Sequence, residues 1–403
     1  MEERSYLGWR RAAVAEPPEP LQPEEGRASI VAGGGEADVA QETKEMMNGV
    51  LKTLGEGVFL EDGPPIPYLM QPDADWSGFG PFILARLRAI NALGGPRMRV
   101  VWSGTVAELG RLPQWPEDSE HILDLENVIT EWIKHMDDRG KVDGRCLCVS
   151  IFSHRWSRPS LDPAEAHPDT VDNVKAAALA KYGERGTCPI FHPHHIFDYF
   201  YWIDCAGIDQ ADRRNKWLGI AKLPAYVATC IEMIFFHTPE YEARAWTRVE
   251  RCIGYVYCQA PLFVFIDKDY ANATEALAID DLVASNEVFS KHLETGGMLF
   301  EIKDPLAEDA GITDPADRKL ITDLLDTLMK ATPLCPAMKM AMAAAWAGDG
   351  ADPAAKAEAF LKFGSTFMPV DTEHWKVDSE KNKALLGLKQ AALLNEEKEM
   401  NGD

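Results

Sequence analysis

Between Tyr199 and Glu250 the chain sets out, in order, the pieces of a β-α-β-α unit. An apolar run, Tyr199 to Ile203, stops abruptly at Asp204 and gives way to a polar loop holding Asp209 and Gln210. Buried parallel strands end in this way where a sheet edge carries function. A helix-length segment, Lys216 to Cys230, leads to a second apolar run, Ile231 to Phe236. The stretch closes on Arg244-Ala-Trp-Thr-Arg-Val-Glu250, where Trp246 and Glu250 stand four apart and therefore on one face of a helix. The lengths match what a parallel crossover needs.

The same pattern extends both ways. Cys146–Phe152 is nearly all apolar, as a strand covered on both faces must be, and Ser153-His-Arg-Trp156 follows at once. After a loop with three prolines, 170–181 reads as a helix with Thr170 as N-cap. Further strands are expected at 261–266 and 297–302, with helices at 216–229, 245–257 and 275–292. Five strands alternating with helices predict an α/β fold, a three-layer, flavodoxin-like parallel sheet with helical flanking segments.

Around this domain, placed at 145–305, the chain divides into four more parts. Residues 1–40 are acidic and rich in Pro and Gly, and such a composition buries too little apolar surface to offset ordering entropy, so a disordered tail is expected. Residues 41–144 read as a helical extension, with a short helix at 42–54, a helix at 82–93, a strand at 97–102 and an amphipathic helix within 120–136. Residues 306–378 read as a helical C-terminal extension, beginning with a helix at 315–330. Residues 379–403 read as a charged helix and tail.

A net charge of −23 argues against binding nucleic acid or an anionic membrane surface, both of which demand a basic face. The eight cysteines lie within apolar runs, so free thiols in a reducing, cytoplasmic setting are expected. No run approaches the roughly 20 apolar residues of a membrane span.

Three separated pieces, Ser153-His-Arg-Trp156, Trp202-Ile-Asp204 with Asp209-Gln210, and Arg244-Ala-Trp-Thr-Arg-Val-Glu250, resemble in order and spacing the motifs of the heterokaryon-incompatibility (HET) domain. That family is in turn similar to Toll/interleukin-1-receptor (TIR) domains, whose later helix also carries a tryptophan and a glutamate four apart. The resemblance covers about residues 146–303; Ala206, Gly207 and Ala245 depart from it. It implies an intracellular signalling or immune-type protein that hydrolyses or cyclises NAD+, with Glu250 against the ribose beside nicotinamide. NAD+ is then a substrate, and no cofactor or metal is implied. It equally implies a homo-oligomer formed through the α/β domain. A non-catalytic module that signals by self-association is the competing expectation.

The residue chemistry fits the first expectation. Breaking an N-glycosidic bond builds an oxocarbenium-like centre that a nearby carboxylate stabilises; Glu250 either does this or is a surface ion-pair partner of Arg248, Arg251 or Arg155. Trp246 packs the helix or offers an aromatic face to a ligand. Arg155 is suited to a pyrophosphate and His154 to proton transfer, with Ser153 and Trp156 in the same loop. Asp204 is expected to cap its turn or pair with Arg155, and Asp209 and Gln210 to fix their loop by hydrogen bonds. Cys188, His192, His194 and His195 have the composition of a metal site, but adjacent histidines seldom converge on one ion and no second cysteine pair follows, so a polar loop is expected.

Overall fold

The structure is a computed structural model, and it describes residues 36–59, 74–185 apart from 161, 163 and 164, 195–236, 238, 240–258, 262–266, 268 and 305–328. Six strands form a mixed sheet: β1 (Arg99–Trp102), β2 (Leu123–Asp124), β3 (Arg145–Ser153), β4 (Ile196–Ile203), β5 (Glu232–Phe236) and β6 (Leu262–Ile266). Their order across the sheet is β2-β1-β4-β3-β5-β6. The four strands β4, β3, β5 and β6 are mutually parallel, with Cys146 opposite Phe197, Ser153 opposite Phe235 and Ile234 opposite Val264.

The sheet is therefore not purely parallel as expected. β1 pairs antiparallel with β4, Val101 opposite Tyr201, and β2 pairs antiparallel with β1. The segment assigned to a helical extension thus supplies the sheet edge. A four-residue apolar run such as Arg99–Trp102 carries no signal of its direction, which is fixed only by which edge it meets. The expected helix at 275–292 and strand at 297–302 lie outside the described residues, as do the two terminal segments beyond 35 and 328.

Nine helices are described: α1 (Glu36–Leu54), α2 (Phe79–Asn91), α3 (Ser103–Leu109), α4 (Leu125–His135), α5 (Val174–Arg185), α6 (Asp204–Gly207), α7 (Arg213–Thr229), α8 (Ala245–Tyr257) and α9 (Asp317–Leu328). They pack as two sets, α3 with α5, and α1, α2, α4, α7, α8 and α9 as a chain of neighbours. Every residue of β5, and all of β3 after Arg145, is buried. Because alternate side chains point to opposite faces, burial of consecutive residues means that both faces are covered. No described helix is long and apolar enough to cross a membrane.

Local capping agrees with the chemistry of the sequence. Asp124 accepts from Asn127 N to cap α4, and Asp212 accepts from Asn215 N to cap α7. At α5 the expected cap Thr170 accepts from Val174 N, and the larger share falls to Asp169, which takes Lys175 N and Ala176 N on its two oxygens.

The six described cysteines, 146, 148, 205, 230, 252 and 258, are buried thiols outside any disulfide. His195 is buried against the edge of Trp76, with Nδ1 4.0 Å from Cys146 Sγ; its neighbours Cys188, His192 and His194 lie outside the described residues.

Candidate functional site

The parallel strands deliver their carboxyl ends to one cleft of about 450 Å³. That size is in the range of small-molecule sites. Its walls come from three stretches of chain: the 114–117 loop, the α/β core, and 313–317.

Ser153 is the last residue of β3 and is buried. Its Oγ donates to Glu250 Oε2 at 2.5 Å and lies 2.5 Å from Tyr241 Oη. A hydroxyl has one proton, so when Ser153 donates to a Glu250 carboxylate the Tyr241 hydroxyl must donate to Ser153. Three elements, β3, the 241–243 turn and α8, are thereby locked around one carboxyl group.

Glu250 sits one turn along α8 from Trp246 and keeps part of its surface open to the cleft. Burial pushes its carboxyl up, the nearby Asp204 charge adds to the effect, and the Ser153 hydrogen bond opposes it; the net position is about 8. At neutral pH the free site therefore holds Glu250 mostly protonated.

Asp204 opens α6 at the end of β4. Its Oδ1 meets His154 Nε2 at 3.0 Å and Cys205 N at 2.7 Å, and its Oδ2 accepts from Trp156 Nε1 at 2.5 Å. Burial disfavours its charge, but His154, Trp156 and the Cys205 amide outweigh that cost and hold the carboxyl below its ordinary value. Two carboxyls in one cleft are thus pushed apart, Asp204 made more acidic by its donors and Glu250 less acidic by burial. His154 is stacked on Phe152, with ring centroids 5.1 Å apart, and its Nδ1 is buried with no hydrogen-bond partner.

Of the two roles weighed for Asp204, the local turn contact is present in its bond from Cys205 N, while the pairing with Arg155 is not, its oxygens meeting His154 and Trp156 instead. The Arg155 guanidinium lines the cleft with its Nε buried and without a hydrogen-bond partner. Arg244, also in the wall, donates to Thr313 Oγ1. Burial, and then the charge of Arg155, make Arg244 a weaker base than usual.

The loop that carries these groups is anchored by Lys175. Its Nζ donates to Arg155 O at 2.5 Å, Pro168 O at 2.5 Å and Ser157 Oγ at 2.9 Å. Burial brings this ammonium down to about 8.

The remaining expected residues divide. Gln210 lines the cleft, and its Nε2 donates to Asp204 O. Asp209 is not in the cleft wall: its Oδ1 accepts from Ala211 N and Asp212 N, fixing the turn into α7. Trp246 does both things weighed for it, lining the cleft while its Nε1 donates to Asp317 Oδ2 at 2.8 Å. Arg248 turns away from Glu250 and makes a two-pronged ion pair with Asp309, both contacts 2.9 Å. The departure at Gly207 has a packing cause, since a Cβ there would stand 2.6 Å from Trp202 Nε1.

Sequence reasoning missed Tyr241, Lys175, the 114–117 loop and the 313–317 wall. None lies in the motifs, and only chain folding brings them to the strand ends.

His154, Asp204 and Cys205 offer donor atoms within 4.8 Å of one another. Burial and the Asp204 charge push the Cys205 thiol well above its ordinary value, and its Sγ donates to Pro113 O. In this structure the three are joined within the protein by hydrogen bonds, His154 and the Cys205 amide to Asp204 and the Cys205 thiol to Pro113 O.

No family model matches this chain, and neither a curated protein nor a solved structure matches it significantly. The site is therefore interpreted from its own chemistry.

Proposed function

We propose that the protein is an N-glycosidase of the TIR/HET type that cleaves the nicotinamide–ribose bond of NAD+, with Glu250 as the key carboxylate. The observation that carries this is the Ser153–Glu250 hydrogen bond, which holds a carboxyl of raised pKa in the wall of a nucleotide-sized cleft. The order of the parallel strands supports a flavodoxin-type sheet, because numbered along the chain they lie 2-1-3-4.

In this reading the pyridinium nitrogen leaves with the bonding electron pair, so the departing nicotinamide is neutral and needs no general acid. Positive charge develops on the ribose carbon, where Glu250 stabilises it. The bound pyridinium cation lowers the Glu250 pKa and supplies the carboxylate form in the complex. Water then adds to the carbon, and Glu250 takes the proton, giving ADP-ribose. Asp204 keeps His154 and Trp156 in place, and Arg155, in the cleft wall, is the cation offered to the pyrophosphate.

Incubating the full chain at high concentration with NAD+ and quantifying nicotinamide tests the reading. Nicotinamide appearing in step with NAD+ loss supports it. Intact NAD+ across pH 6 to 9 overturns it and leaves the self-associating, non-catalytic module.

A further inference from the structure

The 114–117 loop comes from outside the α/β core, yet it is built into the cleft by several bonds. Trp115 N donates to Cys205 O at 2.9 Å, tying the loop to the residue after Asp204. Behind it, Arg111 makes a two-pronged pair with Asp118, both contacts 2.6 Å, and Gln114 N donates to the same carboxylate at 2.8 Å. The Arg99 guanidinium of β1 lies over the Trp115 ring, 3.6 Å from its centroid. One face of the indole is thus occupied by a cation, while the ring, half-buried and packed against the core, also lines the cleft.

The position within the cleft is informative too. Trp115 is anchored beyond β4, on the side of β1, whereas Glu250 is anchored to the end of β3. The Asp204–His154–Trp156 cluster, which joins the ends of β3 and β4, lines the same cleft. A ligand that meets both Glu250 and Trp115 runs from the β3 end of the cleft toward its β1 side, which suits a nucleotide carrying a second ring.

We infer that Trp115 is the stacking platform for a nucleobase, and that it selects a substrate with a second aromatic base at the end of the cleft opposite Glu250. A ring held in one orientation by Arg99 and its loop has little rotamer freedom left to lose on binding, so stacking on it is preorganised. This deepens the glycosidase reading and rests on it for the dinucleotide, while the stacking itself is testable without turnover.

The probes are AMP and ribose 5-phosphate, which differ by the base, titrated calorimetrically into the full chain. Wild type is expected to bind AMP the more tightly. Trp115→Leu is expected to weaken AMP about tenfold, the usual effect of losing a base stack, and to leave ribose 5-phosphate unchanged. Trp115→Phe keeps an aromatic face and is expected to retain most of the AMP affinity, which separates stacking from a folding defect. Equal AMP affinity in wild type and Trp115→Leu, equal losses for both ligands, or no AMP binding by wild type would each overturn the inference. Nicotinamide release measured on the same preparations distinguishes the two readings: Trp115-dependent AMP binding without NAD+ cleavage keeps the platform and removes the glycosidase, and cleavage with Trp115-independent AMP binding does the reverse.

Discussion

Ser153 and Glu250, 97 positions apart, share a 2.5 Å hydrogen bond that joins the end of β3 to the middle of α8. The serine hydrogen bond draws the Glu250 proton equilibrium back toward ionisation, against burial and against Asp204. The acidity of the proposed catalytic group is therefore set by identifiable side chains, and it can be moved in either direction.

Removing Ser153 and neutralising Asp204 should shift the pH dependence of kcat/KM in opposite senses. Activity in the free enzyme is expected to rise with pH through about 8, as Glu250 ionises. Ser153→Ala removes the stabilising donor and moves that limb to higher pH. Asp204→Asn removes the repelling charge and moves it lower. For kcat the limb lies at lower pH than for kcat/KM, because the bound pyridinium favours the carboxylate. Initial rates from pH 5.5 to 9.5 in the three proteins check the pattern, and shifts of the same sign would refute it.

Stability should carry the same signature. A carboxyl raised from 4.5 to about 8 binds more protons folded than unfolded across that interval, so wild type loses stability as pH rises through it. Glu250→Gln does not titrate there. The melting temperature of Glu250→Gln minus that of wild type is expected to grow between pH 5 and 8 and level off beyond, at roughly 1–2 °C for each kcal/mol relieved. A flat difference across the range would mean that Glu250 is not held protonated.

Lys175 offers a test of the loop that presents Arg155. Lys175→Met leaves three oxygens without their donor, at a cost of about 1–3 kcal/mol. Burial lowers this ammonium from 10.5 to about 8, so between those values the unfolded chain binds the extra proton and wild type gains stability as pH rises. The deficit of the methionine variant, read by thermal denaturation, is therefore expected to widen from pH 8 to 10.5.

How much of this was legible in the sequence depended on whether a signal was local. The strands at 145–153 and 232–236 announced themselves as unbroken apolar runs, and α8 was framed by the four-residue spacing of Trp246 and Glu250. An apolar run that stops on Asp204 marks that residue as a strand end. Its partners were not legible, since which of Arg155, His154 or Trp156 reaches the carboxylate depends on side-chain direction after a bend. The antiparallel β1, the Trp115 loop and Asp317 beneath Trp246 came from distant chain, where nothing in composition or periodicity reveals a neighbour.

The central claim is tested most directly by nicotinamide release from NAD+ at pH 8, wild type beside Glu250→Gln, with both proteins confirmed to be folded. The account predicts release by wild type and a fall of at least about a hundredfold in the glutamine variant, the scale expected when a charge-stabilising group is removed from an active site. Equal release from the two would contradict the assignment of Glu250, and no release from either would contradict the glycosidase itself.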